Sequence, residues 1–232
     1  MELNTYPLVC TRGVVLYPNQ EIVIDVGRDT SVHAVENAQD NYDKKICLFS
    51  QKELEQENPA TEDIYSVGTL CEIRHIRRFD NFLRVKFRGI KRVKLNKWIN
   101  GNLSDLVEVE ILESEKQDAV EEEALIRMIA DELDRMQGQD RFVTKEIVME
   151  ISKGMGGEFL SDKAVQGLPL DLERKQKYLE TLGVNDRLMM LLQDMAKEKK
   201  MSEVEKQINE TVKERIDQGQ KDYYLREKMN VI

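Results

Sequence analysis

Apolar and polar positions alternate with a period of two through the first half of the chain and recur every three or four residues through the second. This pattern predicts β-structure followed by helices, an α+β fold. Residues 7–10, 21–26 (EIVIDV) and 45–49 are short and rich in β-branched or aromatic side chains, as strands are. The clearest pair is residues 67–73 and 82–87, where Leu83, Val85 and Phe87 alternate with Arg84, Lys86 and Arg88 across a turn at Asp80-Asn81. Such alternation puts the apolar set on one sheet face and the cations on the other. Gly89 allows a bend or bulge before the continuation at 90–95, and residues 106–112 form a last strand in which Val107, Val109 and Ile111 alternate with acids. A short helix is expected after Gly27-Arg28, with Asp29 as its N-cap and Val32, Val35 and Ala38 as its buried stripe.

From Ser114 the period is helical. Leu125, Met128, Ile129, Leu133 and Met136 share one face, Ile147, Val148 and Ile151 mark a second helix, residues 153–158 (KGMGGE) a loop, and residues 172–182 a third helix stopped by Gly183. Asn185 is suited to cap the next helix. Beyond it Leu188, Leu191, Leu192 and Met195 begin a stripe that Met201, Val204, Ile208, Val212 and Ile216 continue. Unbroken to Ile232, that helix spans on the order of 70 Å at 1.5 Å per residue. Gly219 is its weakest joint, and the stripe suits pairing with another chain. Val231-Ile232 carry no stop signal, so the helix is expected to run on past Ile232 in a longer protein. The expected domains are 1–113 (β), 114–184 (helical) and 185–232 (a long, projecting helix).

The net charge of −9 argues against a general binder of nucleic acid or membrane surfaces. Its distribution is uneven, with ten basic residues against Asp80 in 74–97 and nine acids against Lys116 in 105–123. The basic stretch, interleaved with Phe79, Phe82, Phe87 and Trp98, defines a nucleic-acid reading; neutralisation by the acidic strand defines its rival. Cys10, Cys47 and Cys71 lack metal-ligand spacing and read as reduced thiols in strands. Neither His33 nor His75 has a partner at catalytic spacing, and the glycines at 154–157 follow a helix where a phosphate loop follows a strand. The pattern therefore offers no catalytic, metal or cofactor residues. No signal peptide or apolar span is present, and a cytoplasmic protein is expected. Aromatics at loop tips mark contact surfaces unless they fold back onto the sheet. Tyr17, Pro18, Phe79 and Phe82 are the leading contact candidates, followed by Met189, Met190 and Met195 because methionine adapts its shape.

Several segments resemble the amino-terminal region of bacterial Lon proteases. They are YPLVCTRGVVLYP at 6–18, DVGRDTSVHAVENA at 25–38, the Val-Gly-Thr strand and hairpin at 64–95, LPLDLERKQKYLETL at 168–182, and the Tyr-Tyr-Leu-Arg-Glu core of the last helix. Residues 96–165 and Gly219 match only loosely. The resemblance implies a PUA-like β-domain, a helical subdomain and a helix leading to an AAA+ ATPase and a Ser-Lys protease that these residues do not include. It also implies a substrate-recognition and assembly module, with unfolded or misfolded and short-lived regulatory proteins as partners. The parent would be a homohexameric, ATP- and Mg-dependent serine endopeptidase of protein quality control and the stress response, while these 232 residues need no cofactor. A purely structural oligomerisation spacer is the remaining alternative.

Overall fold

A computed structural model describes residues 4–136 and 145–229. The Val231-Ile232 end lies outside the described residues, as do the side chains of Met136, Val148 and 221–229. The fold is α+β, and the chain divides into two compact units, Met1–Leu191 and Leu192–Ile232.

Six strands form one sheet: β1 (Asn4–Thr11), β2 (Glu21–Val26), β3 (Lys45–Ser50), β4 (Val67–Arg78), β5 (Leu83–Ile99) and β6 (Leu106–Leu112). Their order is β2-β5-β4-β3-β1-β6, and a further β5–β6 pairing closes five of them into a ring. β5 is long enough to serve twice: residues 83–88 pair with β2 and residues 92–99 with β6. β2 therefore lies outside the ring, paired on one side only among the described residues. A register shift opposite Leu70/Cys71 marks the bulge expected beside Gly89.

Closure explains the unbroken apolar run of β3, which is buried on both faces. Ile46 and Leu48 join Val9, Ile73, Val85 and Phe87 in one cluster; Cys47 and Phe49 join Leu8, Leu70, Val93, Val107 and Val109 in the other. The first cluster is completed by Ala34, Val35 and Ala38 of α1 (Asp29–Asn41). Asp29 is inside this helix; the N-cap is Arg28, which is extended and makes no side-chain cap.

The helical elements are α2 (Ala119–Met136), α3 (Lys145–Ser152), α4 (Gly157–Gly167), α5 (Leu172–Glu180) and α6 (Val184–Met229). Gly157 begins α4 where a loop was expected. Its N–H donates to Glu122 Oε1 (2.9 Å), and a Cβ there would lie 2.7 Å from Leu188 Cδ1, a side-chain end that would have to shift to admit it. Asn185 is also not the cap of α6. It is buried in the first turn and donates to the Asp118 carbonyl (3.0 Å) and Glu121 Oε2 (2.8 Å), tying α6 to the start of α2. α6 is continuous through Gly219.

Three polar links join the β-structure to α5. Tyr17 Oη donates to the Lys175 carbonyl (2.8 Å), Gln176 Nε2 to the Val67 carbonyl (2.8 Å), and Arg92 Nε to the Leu179 carbonyl (3.1 Å). Arg92 also grips Asp162 of α4 with two bonds of 3.0 and 2.5 Å, and Arg187 Nε stands 3.9 Å from the same carboxylate. All three side chains are at most 2% exposed. Burial pushes the Asp162 carboxyl up and the two guanidiniums oppose it; burial, with Arg92 nearby, pulls the Arg187 guanidinium down to about 10.

The loop after β1 is fixed at its far end by Gly89. Asn19 N–H donates to the Gly89 carbonyl and Gly89 N–H to the Gln20 carbonyl, both at 2.9 Å. A Cβ at Gly89 would sit 2.2 Å from the Tyr17 carbonyl oxygen, an atom of the backbone that has nowhere to go. Gly89→Ala is therefore expected to destabilise the fold by about 1–3 kcal/mol, the range for overpacking. A urea midpoint unchanged from the native chain would show that the loop yields freely.

Candidate functional site

The tip of the β4–β5 hairpin carries an exposed aromatic pair. Phe79 N–H donates to the Phe82 carbonyl (3.0 Å) across the two turn residues Asp80 and Asn81, so the two side chains leave the sheet side by side. Their rings stack with centroids 4.7 Å apart and planes 12° from parallel. The Arg84 guanidinium lies 5.4 Å from the Phe79 centroid and 5.7 Å from that of Phe82, a cation–π distance. Asp25 on β2 holds Arg84 in turn through two bonds of 2.7 Å. Phe79 remains 38% exposed and Phe82 is half-buried. This is a preorganised apolar surface: ring stacking and a clamped guanidinium fix it before any partner arrives.

A groove begins beside this tip. Its cavity of about 330 Å³ is lined by Val9, Cys10 and Arg12 of the β1 end and by Ile24, Gly27 and Arg28 of β2 and its turn. Gly27 also passes under the hairpin, since a Cβ there would lie 3.8 Å from the Phe82 Cβ. Burial pushes the Cys10 thiol up to about 12, which removes it as a nucleophile and leaves a small apolar surface. Cys10, Cys47 and Cys71 are all free thiols, the last two buried.

The other expected contact residues are dispersed. Tyr17 is fully buried and Pro18 buried, because the loop folds back under α5 and Gly89; neither offers a surface, contrary to the reading of them as loop-tip contacts. Met195 is 1% exposed and Met190 half-buried, its sulfur accepting from Thr181 Oγ1 (3.7 Å). Only Met189, 41% exposed, presents an open methionine surface among these three. On α6, Met201, Val204, Ile208, Val212 and Ile216 are all exposed. Val23 on β2, 55% exposed beside the hairpin, was missed because alternation placed it among the polar positions of a short strand.

The basic stretch is largely paired, with Arg77 and Arg88 as exposed cations that have no ion pair among the described residues. Arg74 pairs with Glu72 (3.1 Å), Arg78 with Glu36, Arg84 with Asp25, Lys86 with Glu21 (2.6 Å) and Lys91 with Glu113 (2.8 Å), while Arg92 is buried on Asp162. Lys94 and Lys97 stand opposite Glu110 and Glu108 of β6. Hydrogen bonds from Lys86, Arg84 and Arg78 hold the Glu21, Asp25 and Glu36 carboxyls below their usual range, so the partners stay charged at neutral pH.

The family model for the ATP-dependent protease La (LON) substrate-binding domain matches residues 5–197. The chain belongs to this LON substrate-binding domain family. It is 33% identical over 227 residues to a Lon protease of Brevibacillus choshinensis, covering 97% of this chain and 29% of that protein. It is 32% identical over 230 residues to Lon protease 1 of Bacillus subtilis, covering 99% and 30% respectively. The chain thus spans about three-tenths of these relatives' length. Its fold is shared with the N-terminal domain of a Mycobacterium avium complex Lon protease, at a TM-score of 0.67 and 19% identity, covering 83% of this chain and 98% of that one. A Lon N-terminal domain protein from Xanthomonas campestris gives a TM-score of 0.57 at 18% identity, covering 82% and 97%. No helix among the described residues is long and apolar enough to cross a membrane.

Proposed function

We propose that this LON substrate-binding domain selects substrates for a Lon-type, ATP-dependent serine endopeptidase in the cytoplasm by gripping exposed apolar segments of unfolded proteins. The observation that carries the reading is the stacked Phe79–Phe82 pair, held partly exposed by Arg84 and Asp25 at the mouth of a groove. Burying one such ring against a partner contributes on the order of 1–2 kcal/mol, which gives weak, sequence-tolerant binding. Several copies on one hexameric ring raise the effective concentration without requiring any site to bind tightly. In this division of labour residues 1–113 contact substrate, 114–184 brace them, and 185–232 lead to the ATPase, where ATP and Mg act. The exposed α6 stripe serves assembly between copies. Ion pairs engage six of the ten 74–97 cations, Arg74, Arg78, Arg84, Lys86, Lys91 and Arg92, which weighs against the nucleic-acid alternative.

The test is anisotropy of a fluorescently labelled, permanently unfolded protein and of its folded form titrated with this chain. Selective binding of the unfolded form is expected, weakened about thirtyfold or more in Phe79→Ser/Phe82→Ser, each ring contributing roughly the amount above. Equal binding by the double variant, at unchanged thermal stability, would overturn the role of the pair. Absence of binding at high micromolar concentration would leave the domain as a spacer.

A further inference from the structure

The groove beside the hairpin has the chemistry to say which segments are taken. Among the described residues β2 is paired with β5 on one side only, so the peptide groups of alternate residues face the free edge. Across the groove runs the end of β1. Thr11 turns its carbonyl towards the β3 side, where it accepts from Gln51 N–H (2.9 Å), and Leu8 N–H turns the opposite way to the Asp105 carbonyl (3.0 Å). By the same alternation Cys10 presents its peptide group away from β3. The floor is apolar, made by Val9, Cys10 and Ile24.

One end of the groove is cationic. Arg12 and Arg28 both line it, and both donate to the Gln56 carbonyl, at 3.3 and 3.5 Å. Arg28 has Gln51 Oε1 as its other partner, and neither guanidinium has a carboxylate within ion-pair distance among the described residues. Burial first, then the charge of Arg12, hold Arg28 below its usual range, with Cys10 and then Glu57 acting against them. The groove's own acid, Asp25, is engaged by Arg84, and Glu57 and Asp105 line the cleft beyond Arg28, so the two guanidiniums sharing one carbonyl are ready donors to a carboxylate placed between them. The cleft does not stop there. Cys10, Arg28 and Ser31 also line an adjoining cavity of about 110 Å³ that reaches Trp98, whose buried Nε1 has no hydrogen-bond partner among the described residues. A chain can therefore continue past the arginines instead of ending at them.

We propose that this groove takes an extended, acidic–apolar polypeptide segment as an added strand on β2, with an apolar side chain over Val9, Cys10 and Ile24 and an internal Asp or Glu carboxylate between Arg12 and Arg28. The inference rests on the capture reading and names its substrate class. Backbone bonds to the β2 edge supply affinity indifferent to sequence, and the floor and arginines supply selectivity, the general division of work in strand addition. The nearby Phe79–Phe82 pair then meets the next apolar residues of the segment.

The probes are a labelled ten-residue apolar peptide with one central Glu, its Gln counterpart, and the Gln peptide with a free or an amidated C-terminus, titrated by anisotropy into the full 232-residue chain. The Glu peptide is expected to bind about tenfold more tightly than the amidated Gln peptide, and Arg28→Gln, or Arg12→Gln should Arg28→Gln fail to fold, should abolish that difference. N-methylation of alternate peptide nitrogens on the Glu peptide should weaken binding at least tenfold in one register and little in the other, a readout that leaves the protein untouched. Equal affinity for Glu and Gln peptides, or indifference to N-methylation in both registers, overturns the proposal. Preference for the free C-terminus alone replaces the internal acid with a chain end and also overturns it as stated. If the peptides fail while unfolded protein still binds in a Phe79-dependent way, the groove assignment falls and the capture reading stands. If neither binds, both fall.

Discussion

Asp162→Ala is expected to lower the unfolding free energy by about 3–5 kcal/mol, the range for breaking a buried ion pair by removing one partner. The carboxylate is the only acid within ion-pair distance of Arg92 among the described residues, and it stands 3.9 Å from Arg187. Without it, two guanidiniums remain buried beside each other. Arg187 keeps Ser161, Ser114 and the carbonyls of Thr181 and Leu182, but Arg92 keeps only the Leu179 carbonyl. The loss therefore falls on the seam between β5 and helices α4 and α5, and a looser, still β-rich state is expected before full unfolding. Urea denaturation followed by circular dichroism checks the magnitude. A loss below about 1 kcal/mol would mean that water enters and solvates Arg92, so that the pair is not buried in solution. Replacing both partners, Arg92→Met with Asp162→Leu, should recover part of the stability, because an apolar pair of similar volume leaves no unpaired charge on β5.

That seam also shows where the sequence was readable. The strands and the hairpin were legible because alternation reports directly on which face is buried, and β2 was found with its boundaries intact. Arg92 was misread with the other cations of β5 because its position in the alternation is shared by solvent-facing residues. Nothing local distinguishes a guanidinium that will meet Asp162, seventy positions later, from one that will meet water. Helix α4 was obscured for the complementary reason: its inner face holds Ser161 and Asp162 among Leu160, Ala164 and Val165, so the apolar stripe is interrupted where the ion pair needs it to be. The partial exposure of Phe79 and Phe82 was legible because a two-residue turn leaves little room to fold back. Tyr17 was not, since its burial depends on a carbonyl of α5 supplied 158 residues away. The groove had no sequence signal at all. It follows from the ring closing through β6 and leaving β2 outside, a topological outcome that no window of residues contains.

The second large effect is expected on association through α6. Met201, Val204, Ile208, Val212 and Ile216 are 50, 42, 56, 48 and 55% exposed, a continuous apolar line along the helix. At about 100° per residue the five side chains fall within an arc of about 120°, wide enough for one helix to cover and narrow enough to leave the charged residues at its margins. Ile208→Glu with Val212→Glu is therefore expected to weaken self-association at least a hundredfold. Each substitution removes roughly 1.5 kcal/mol of apolar burial and sets a like charge opposite its symmetry mate. Glutamate is a better helix former than isoleucine or valine, so α6 itself should persist, and circular dichroism should be unchanged while sedimentation equilibrium shifts towards monomer. Charge-neutral Ile208→Ala with Val212→Ala should give an intermediate shift, because it removes burial without adding repulsion. A native chain that is monomeric at hundreds of micromolar would overturn pairing through this stripe, and the exposed line would then have to be covered by a different chain segment. Association that persists in the Glu variant would place the contact elsewhere on the molecule, since a seam carrying two facing carboxylates per helix cannot stay closed at neutral pH.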